Sequence, residues 1–249
     1  LRKRREGNGV ADIHIHSTHS DGTADIPDIL EYVQQETKLD VIAITDHNEI
    51  AGACEARELT AKDSYRFEVV VGMEISTLEG HLLALFLESP VPKFLPLAET
   101  IDAIHAQGGI CIVPHPMCWL LRSISQNSMD EIAMRKGEDV YLDGLEVVNP
   151  TIAGRITNGR PKELNREHYR LAETGSSDAH FLLQIGSGYT LFEGLTAADL
   201  RQGLLNKTTR AAAGIKVDLQ KIGYGKITKH LFKHTVIMPL LRLCQGFFA

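Results

Sequence analysis

An α/β barrel of the TIM type, with about seven strands, is the fold this sequence predicts. Short apolar, β-branched runs alternate with stretches of helical periodicity along most of the chain. Polar residues able to bind metal stand at or just beyond the C-terminal end of almost every run: His14 and His16, Asp46 and His47, Glu74, His115, Asn149, then Asp178 and His180. The 249 residues suffice for one large α/β domain with a substantial core. Alternation favours a parallel sheet with right-handed crossovers, either doubly wound or closed. The polar residues decide between these: a barrel gathers every strand end on one rim, whereas a doubly wound sheet collects ligands mainly at its switch point.

In chain order the predicted strands are VADIHIH near Val10, DVIAIT near Asp40, FEVVVGMEIS near Phe67, HLLALFL near His81, GICIVPH near Gly109, GLEVVN near Gly144 and TGSSDAH near Thr174. Helical spacing marks DIPDILEYVQQET, EIAGACEARELTA, PLAETIDAIHAQGG and ELNREHYRLAET. In the third of these, Leu97, Ile101 and Ile104 fall on one face, and Gly108 and Gly109 supply a stop. With no linker, repeat or low-complexity tract inside it, one barrel domain is expected over residues 9–215. A flexible basic arm is expected over residues 1–8 and a partly helical extension over residues 216–249. That extension mixes apolar and cationic residues, and Pro239 should kink or end a helix. Lys229, Lys233 and Arg242 disqualify it as a membrane span; packing against the barrel or a second copy is expected, ahead of a helix lying on a membrane surface.

The net charge of −6 argues against a general nucleic-acid binder coated in basic surface, although a local basic groove stays open. Cys54, Cys111, Cys118 and Cys244 form no CxxC pair and read as reduced thiols of a cytoplasmic protein. The basic start LRKRREGNGV lacks the apolar stretch of a secretory signal.

His14 and His16 are two apart, so on a strand both imidazoles share a face and can reach one ion. Asp21 follows on the turn SDG, where Gly22 allows a tight backbone. A lone strand histidine is ordinarily a hydrogen-bonded core residue; an alternating pair, a following acid and three further clusters exceed that explanation. Asp46 and His47 are adjacent and point differently, so one is expected to bind metal and the other to orient a ligand. Asp178 and His180 share strand parity and are expected to serve neighbouring ions. Asp12 is a candidate to hold an imidazole in its tautomer. Mixed imidazole and carboxylate donors suit manganese, iron or zinc better than calcium or magnesium. His105 and His168 sit within helical stretches, and His230 and His234 lie beyond the barrel.

The segment DIHIHSTHSDG resembles the opening signature of the PHP family, the polymerase and histidinol phosphatase domain, and matches Asp-x-His-x-His-Ser-x-x-Ser-Asp-Gly at every defined position. The resemblance runs from about Val10 to Ala213. It implies a distorted seven-stranded barrel with usually three divalent metal ions at the C-terminal rim, hydrolysing phosphoesters. By position it implies that His14, His16 and Asp178 hold the first ion and that Glu74 bridges the first and second. His81 in GHLLAL and His115 in VPHP would complete the second, and Asp21, His47 and His180 would hold the third. With every ligand position filled, a non-catalytic regulatory domain is the weaker expectation.

Two close divalent ions make hydroxide available near neutral pH and bind phosphate oxygens. No GxSxG elbow or reactive-cysteine signature competes as a nucleophile source. The expected activity is therefore hydrolysis of a small phosphomonoester such as a nucleotide, with Glu74 and His180 in the catalytic positions. Arg155, in the loop after the sixth strand, is the preferred phosphate contact over Arg122 and Arg160, and His19 is a second candidate. An exonuclease acting on an oligonucleotide end would need a basic or aromatic track, and amide hydrolysis shares the His-x-His strand. Trp119 reads as a packing residue rather than a base-stacking one. The short interval between His81 and His115 leaves no room for a large cap, so an open site is expected.

Overall fold

The computed structural model describes residues 7–135, 140–157, 159–214 and 216–232. Among the described residues nine strands form one sheet: β1 (Asn8–Ile15), β2 (Val41–Ile44), β3 (Glu68–Ser76), β4 (His81–Leu85), β5 (Ile110–Val113), β6 (Gly144–Val148), β7 (Ala172–Gly175), β8 (Gly188–Glu193) and β9 (Arg210–Ala213). Their spatial order is β7-β6-β5-β4-β3-β2-β1-β8-β9. The first six follow the predicted runs; β7 shares only Thr174 and Gly175 with the seventh, and β8 and β9 are additional. In β8 the alternation of GYTLFE, buried and half-buried by turns, was a legible signal. The short RAAA of β9 carries none.

The sheet is not wholly parallel. Only four residues separate β3 from β4, too few for a crossover, so they pair as an antiparallel hairpin, and β4 is antiparallel to β5 as well. This reversal puts His81, the first residue of β4, on the rim that holds the C-terminal ends of its neighbours. β8 is antiparallel to β1 and to β9. Closure between β7 and this antiparallel pair is made by hydroxyls: Gly175 N–H donates to Thr190 Oγ1 (3.1 Å), Thr190 Oγ1 to Gly175 O (2.8 Å) and Thr209 Oγ1 to Glu173 O (2.8 Å). A Cβ on Gly188 would stand 2.3 Å from Ser176 O, so only glycine permits this approach.

β2 and β5 are buried along their whole length, as barrel strands covered on both faces must be. The helices α1 (Ile26–Glu36), α2 (Ala51–Lys62) and α3 (Leu97–His105) cover the outside. α1 starts where Asp25 accepts from Asp28 N–H, with proline in the first turn. α3 buries Leu97, Ile101 and Ile104, the predicted face. After β5 come α4 (Gln126–Met134), α5 (Ile152–Thr157) and α6 (Gly159–Leu164), the last running into a π turn at Asn165–Tyr169. The helix predicted over ELNREHYRLAET stops there because Arg170 takes a left-handed conformation (φ 54°), and Leu171 leads into β7. α7 (Ala197–Leu205) closes the opposite end of the barrel. Its Leu200 and Leu204 join the inner apolar cluster, its Ala197 N–H donates to Glu68 and its Arg201 side chain donates to Gly108 O.

β1 carries the decisive irregularity. Its register on β2 shifts between Asp12 and Ile15. Ala11 and Ile13 belong to the inner cluster, whereas Ile15 packs with Ile42 and Ile44 in the outer one. The slip turns His14 and His16 to the inner face.

The chain divides into two compact units, residues 1–215 and 216–249. The second contains α8 (Leu219–Ile222) and α9 (Tyr224–Phe232). Lys233, Pro239 and Arg242, like residues 1–6 of the expected arm, lie outside the described residues. Asn8, placed in that arm by the sequence, instead pairs with Glu193. Among the described residues no helix is long and apolar enough to cross a membrane.

Candidate metal centre

All nine predicted ligands converge on the rim. Their nitrogen and carboxylate atoms fall into overlapping groups: His14, His16 and Asp178; His14, Glu74 and His115; His47, Glu74 and His81; and His16, Asp21, His47 and His180. Glu74 stands at the middle, buried at the end of β3. Its Oε1 lies 2.9 Å from His81 Nδ1 and 3.0 Å from His115 Nε2. Its Oε2 lies 3.3 Å from His14 Nε2, His16 Nε2 and His47 Nδ1. One carboxylate thus faces two sets of imidazoles, the geometry of a bridging group. Asp21 Oδ2 reaches His180 Nε2 (3.3 Å) and His47 Nε2 (3.6 Å), and its Oδ1 lies 3.5 Å from His16 Nδ1.

Loop geometry sets these positions. Asp178 follows β7 rather than lying within it, in the left-handed region (φ 51°), so the strand-parity reading of Asp178 and His180 does not hold. The segment is fastened to β1 by His16 N–H to Ala179 O (2.9 Å) and Ala179 N–H to His14 O (3.2 Å). His115 is also left-handed (φ 30°); two non-glycine residues in this region at one site are strain held by the surroundings. Asp46 builds the turn before Asp21: its carboxylate accepts from Ser17 N–H (2.7 Å), Ser17 Oγ (2.6 Å) and Ser20 Oγ (2.6 Å). Gly22 is required there, since a Cβ would come within 2.3 Å of His16 O.

The support of the imidazoles comes from residues the sequence reading passed over. Asp12 touches no imidazole; it accepts from Ser177 N–H (3.0 Å) and Gly186 N–H (2.8 Å) and so pins the Asp178 loop. Burial lifts its pKa to about 6. The orienting carboxylate is Glu146, in the middle of β6 and buried. Its Oε1 lies 3.3 Å from His14 Nδ1 and accepts from Ser176 Oγ. Its Oε2 accepts from His115 N–H (2.6 Å) and Asn149 Nδ2 (2.9 Å), and Asn149 Nδ2 also reaches Asp178 Oδ2 (3.3 Å). A charged residue inside the apolar run GLEVVN was the available signal. Ser123 plays a matching part for His115. Its only hydroxyl proton goes to His115 O (2.9 Å), so at 2.9 Å it accepts from His115 Nδ1–H, and Nε2 is the nitrogen turned to Glu74 Oε1 (3.0 Å), the one a metal ion would take after its proton is lost.

The other candidates stand apart from this cluster. His19 is exposed and pairs with Glu55 on α2 (2.9 Å). Arg155 is exposed on α5. Arg122 donates to Thr77 O (2.7 Å) and Arg160 to Gln126 (2.8 Å), so both serve loop structure. Trp119 is 74% exposed, contrary to the packing role expected of it. His105 and Asp143 (3.0 Å), with Cys111 N–H bonded to the same carboxylate, tie α3 to the sheet.

Burial opposes charging throughout the centre, but at every predicted ligand with a resolved shift except His47 the opposite charges win. Asp178 and Glu74 hold His14 well above the ordinary imidazole value, and the same two carboxylates, 3.5 and 3.3 Å from His16 Nε2, lift His16 to about 10. Glu74 and Asp178 are held well below the carboxylate range by the surrounding histidines. His47, where burial dominates, falls to about 4. Buried His16 has no hydrogen-bond partner at either ring nitrogen, an arrangement proteins avoid unless another ligand completes it. Divalent cations fit this donor set: one would take the lone pair of buried His16, and together they would balance the gathered carboxylates.

A barrel whose rim collects imidazoles and carboxylates at these separations is that of a metal-dependent hydrolase. The model of the PHP domain matches residues 12–175, and that of a PHP-associated region matches residues 159–209. The chain belongs to the PHP family of metal-dependent phosphoesterases. An uncharacterized protein of Methanocaldococcus jannaschii is 36% identical, covering 59% of this chain and 86% of its own length. A 5'-3' exoribonuclease of Haemophilus influenzae is 26% identical, over 89% of this chain and 72% of the relative. In structure the chain is similar to a two-domain protein of Bacteroides vulgatus containing a predicted PHP-like metal-dependent phosphoesterase. That match has a TM-score of 0.67 and 18% identity, and covers 86% of this chain and 69% of the other.

Proposed function

We propose that the chain hydrolyses a small phosphomonoester, such as a nucleotide, at a centre of three divalent ions drawn from manganese, iron and zinc. The observation that carries this reading is Glu74, whose two oxygens face separate sets of imidazoles. His14, His16 and Asp178 would hold one ion, His81 and His115 a second, with Glu74 between them, and Asp21, His47 and His180 the third. Bound there, such ions polarise phosphate oxygens and supply hydroxide for in-line attack. Glu74 fixes the spacing of the two sites on which that attack depends. His180, paired with Asp21 and partly open to solvent, would help orient the water that gives the leaving oxygen its proton. Arg155, exposed on α5 beyond Asn149, and His19 are the side chains proposed to meet the phosphorylated substrate. Free Cys54, Cys111 and Cys118 fit a reducing compartment, and the cytoplasm is the proposed location.

A second reading, an exonuclease acting on oligonucleotide ends, is favoured by the exoribonucleases among the relatives. A panel of phosphomonoesters, nucleoside bisphosphates and short RNA and DNA, assayed with each metal, separates the two. His14→Ala and Glu74→Ala should abolish hydrolysis of the preferred substrate while the circular dichroism spectrum stays that of the parent. Retained turnover in either purified, metal-analysed variant refutes the site.

A further inference from the structure

We propose that the loop over residues 116–122 is a base-reading platform, on which Trp119 stacks the nucleobase of a substrate whose phosphate lies in the metal centre. This rests on the phosphoesterase reading above. The loop leaves the centre at His115 and returns to it at Ser123, so both ends are fixed by the machinery that orients an imidazole. Between them the backbone is tied: Met117 N–H donates to Ile124 O (3.1 Å), Cys118 N–H to His115 O (3.4 Å) and His81 N–H to Arg122 O (2.8 Å). Cys118 is buried beneath. A loop anchored at so many points has inward room for an apolar side chain, and it places Cys118 there rather than the neighbouring tryptophan.

Trp119 does not stand alone. Leu78 is 59% and Phe94 51% exposed, and Leu120 and Leu121 are exposed with them. Leu78 and Phe94 belong to this surface through Arg122, whose guanidinium lies 5.7 Å over the Phe94 ring and donates to Thr77 O (2.7 Å) and Leu78 O (3.4 Å). Lys93 Nζ lies 5.7 Å from the same ring. The result is an apolar, aromatic surface edged with cations, beside the His81 and His115 side of the centre. Exposed apolar surface that adjoins a catalytic rim marks a binding site. The cations lie over Phe94, and the open face of Trp119 is what a nucleobase meets best, because every base offers a π face. A sugar phosphate without a base gains nothing from it.

The test compares AMP with ribose 5-phosphate on the metal-loaded enzyme and its Trp119→Ala and Trp119→Phe variants. Trp119→Ala should raise KM for AMP about tenfold or more relative to any change for ribose 5-phosphate, and Trp119→Phe should recover most of the difference. Trp119 is the single tryptophan of the chain, so AMP, and not ribose 5-phosphate, should quench the intrinsic fluorescence. Equal effects of Trp119→Ala on both substrates, or no quenching by AMP at saturation, would overturn the platform. So would conversion of a dimer to a monomer by Trp119→Ala, which would make the loop a subunit contact. Turnover of ribose 5-phosphate without preference for AMP overturns this inference alone; failure to hydrolyse any phosphoester overturns the reading beneath it.

Discussion

Glu146→Gln keeps the volume of the side chain and removes one acceptor. The wild-type carboxylate accepts at both ends, from the His14 Nδ1 and Ser176 Oγ side and from His115 N–H and Asn149 Nδ2. A glutamine must turn its NH2 toward one pair, so two buried donors lose an acceptor and meet another donor. At about 1–3 kcal/mol for each buried group left unsatisfied, the loss of stability should be about 2–5 kcal/mol. If the amide faces His14, that imidazole is free to take the other tautomer; if it faces His115, the left-handed backbone there loses its anchor. Either way metal affinity should fall about 10- to 100-fold, the usual cost of losing a carboxylate behind a metal-binding histidine. Urea denaturation of the metal-free protein reads the first effect, and competition with a chromogenic chelator reads the second. A variant within about 0.5 kcal/mol and twofold of the parent in these two measurements would refute the role given to Glu146.

Two further outcomes follow from the same geometry. Ser123→Ala removes the acceptor of His115 Nδ1–H, and should weaken metal binding about tenfold for a stability cost of about 1 kcal/mol; chelator competition with unchanged affinity would contradict the tautomer assignment. Metal affinity should rise with pH between about 6 and 9. The sign follows from His16, whose pKa in the metal-free fold is raised from 6.5 to about 10. Its charge stabilises that fold fully below 6.5, and the contribution is lost as pH rises through about 10. Because metal takes the neutral imidazole, binding near pH 7 must release protons. Calorimetry in buffers of different ionisation enthalpy measures that release, and its absence would show that the centre is not protonated without metal.

Much of the ligand set was legible because its members lie in short local patterns. His14 with His16, the turn carrying Asp21, and TDH at the end of β2 announce themselves by spacing, and α3 shows its apolar face by period alone. Direction was not legible from strand periodicity, which tells which side chains share a face but not which way the strand runs. The hairpin that reverses β4 is nonetheless implied by the four residues before His81, too few for a crossover.

The sequence by itself determined the alternation of strands and helices, the clustering of imidazoles and carboxylates near strand ends and hence metal chemistry, since these depend on residue types and near neighbours. Only the tertiary structure decided that β1 slips its register to turn His14 and His16 inward, that hydroxyls on β8 and after α7 seal the barrel against β7, that Glu146 rather than Asp12 steadies an imidazole, and that Trp119 faces solvent. Each of these depends on a partner far away in the chain, and distance in space is set by packing rather than by sequence spacing.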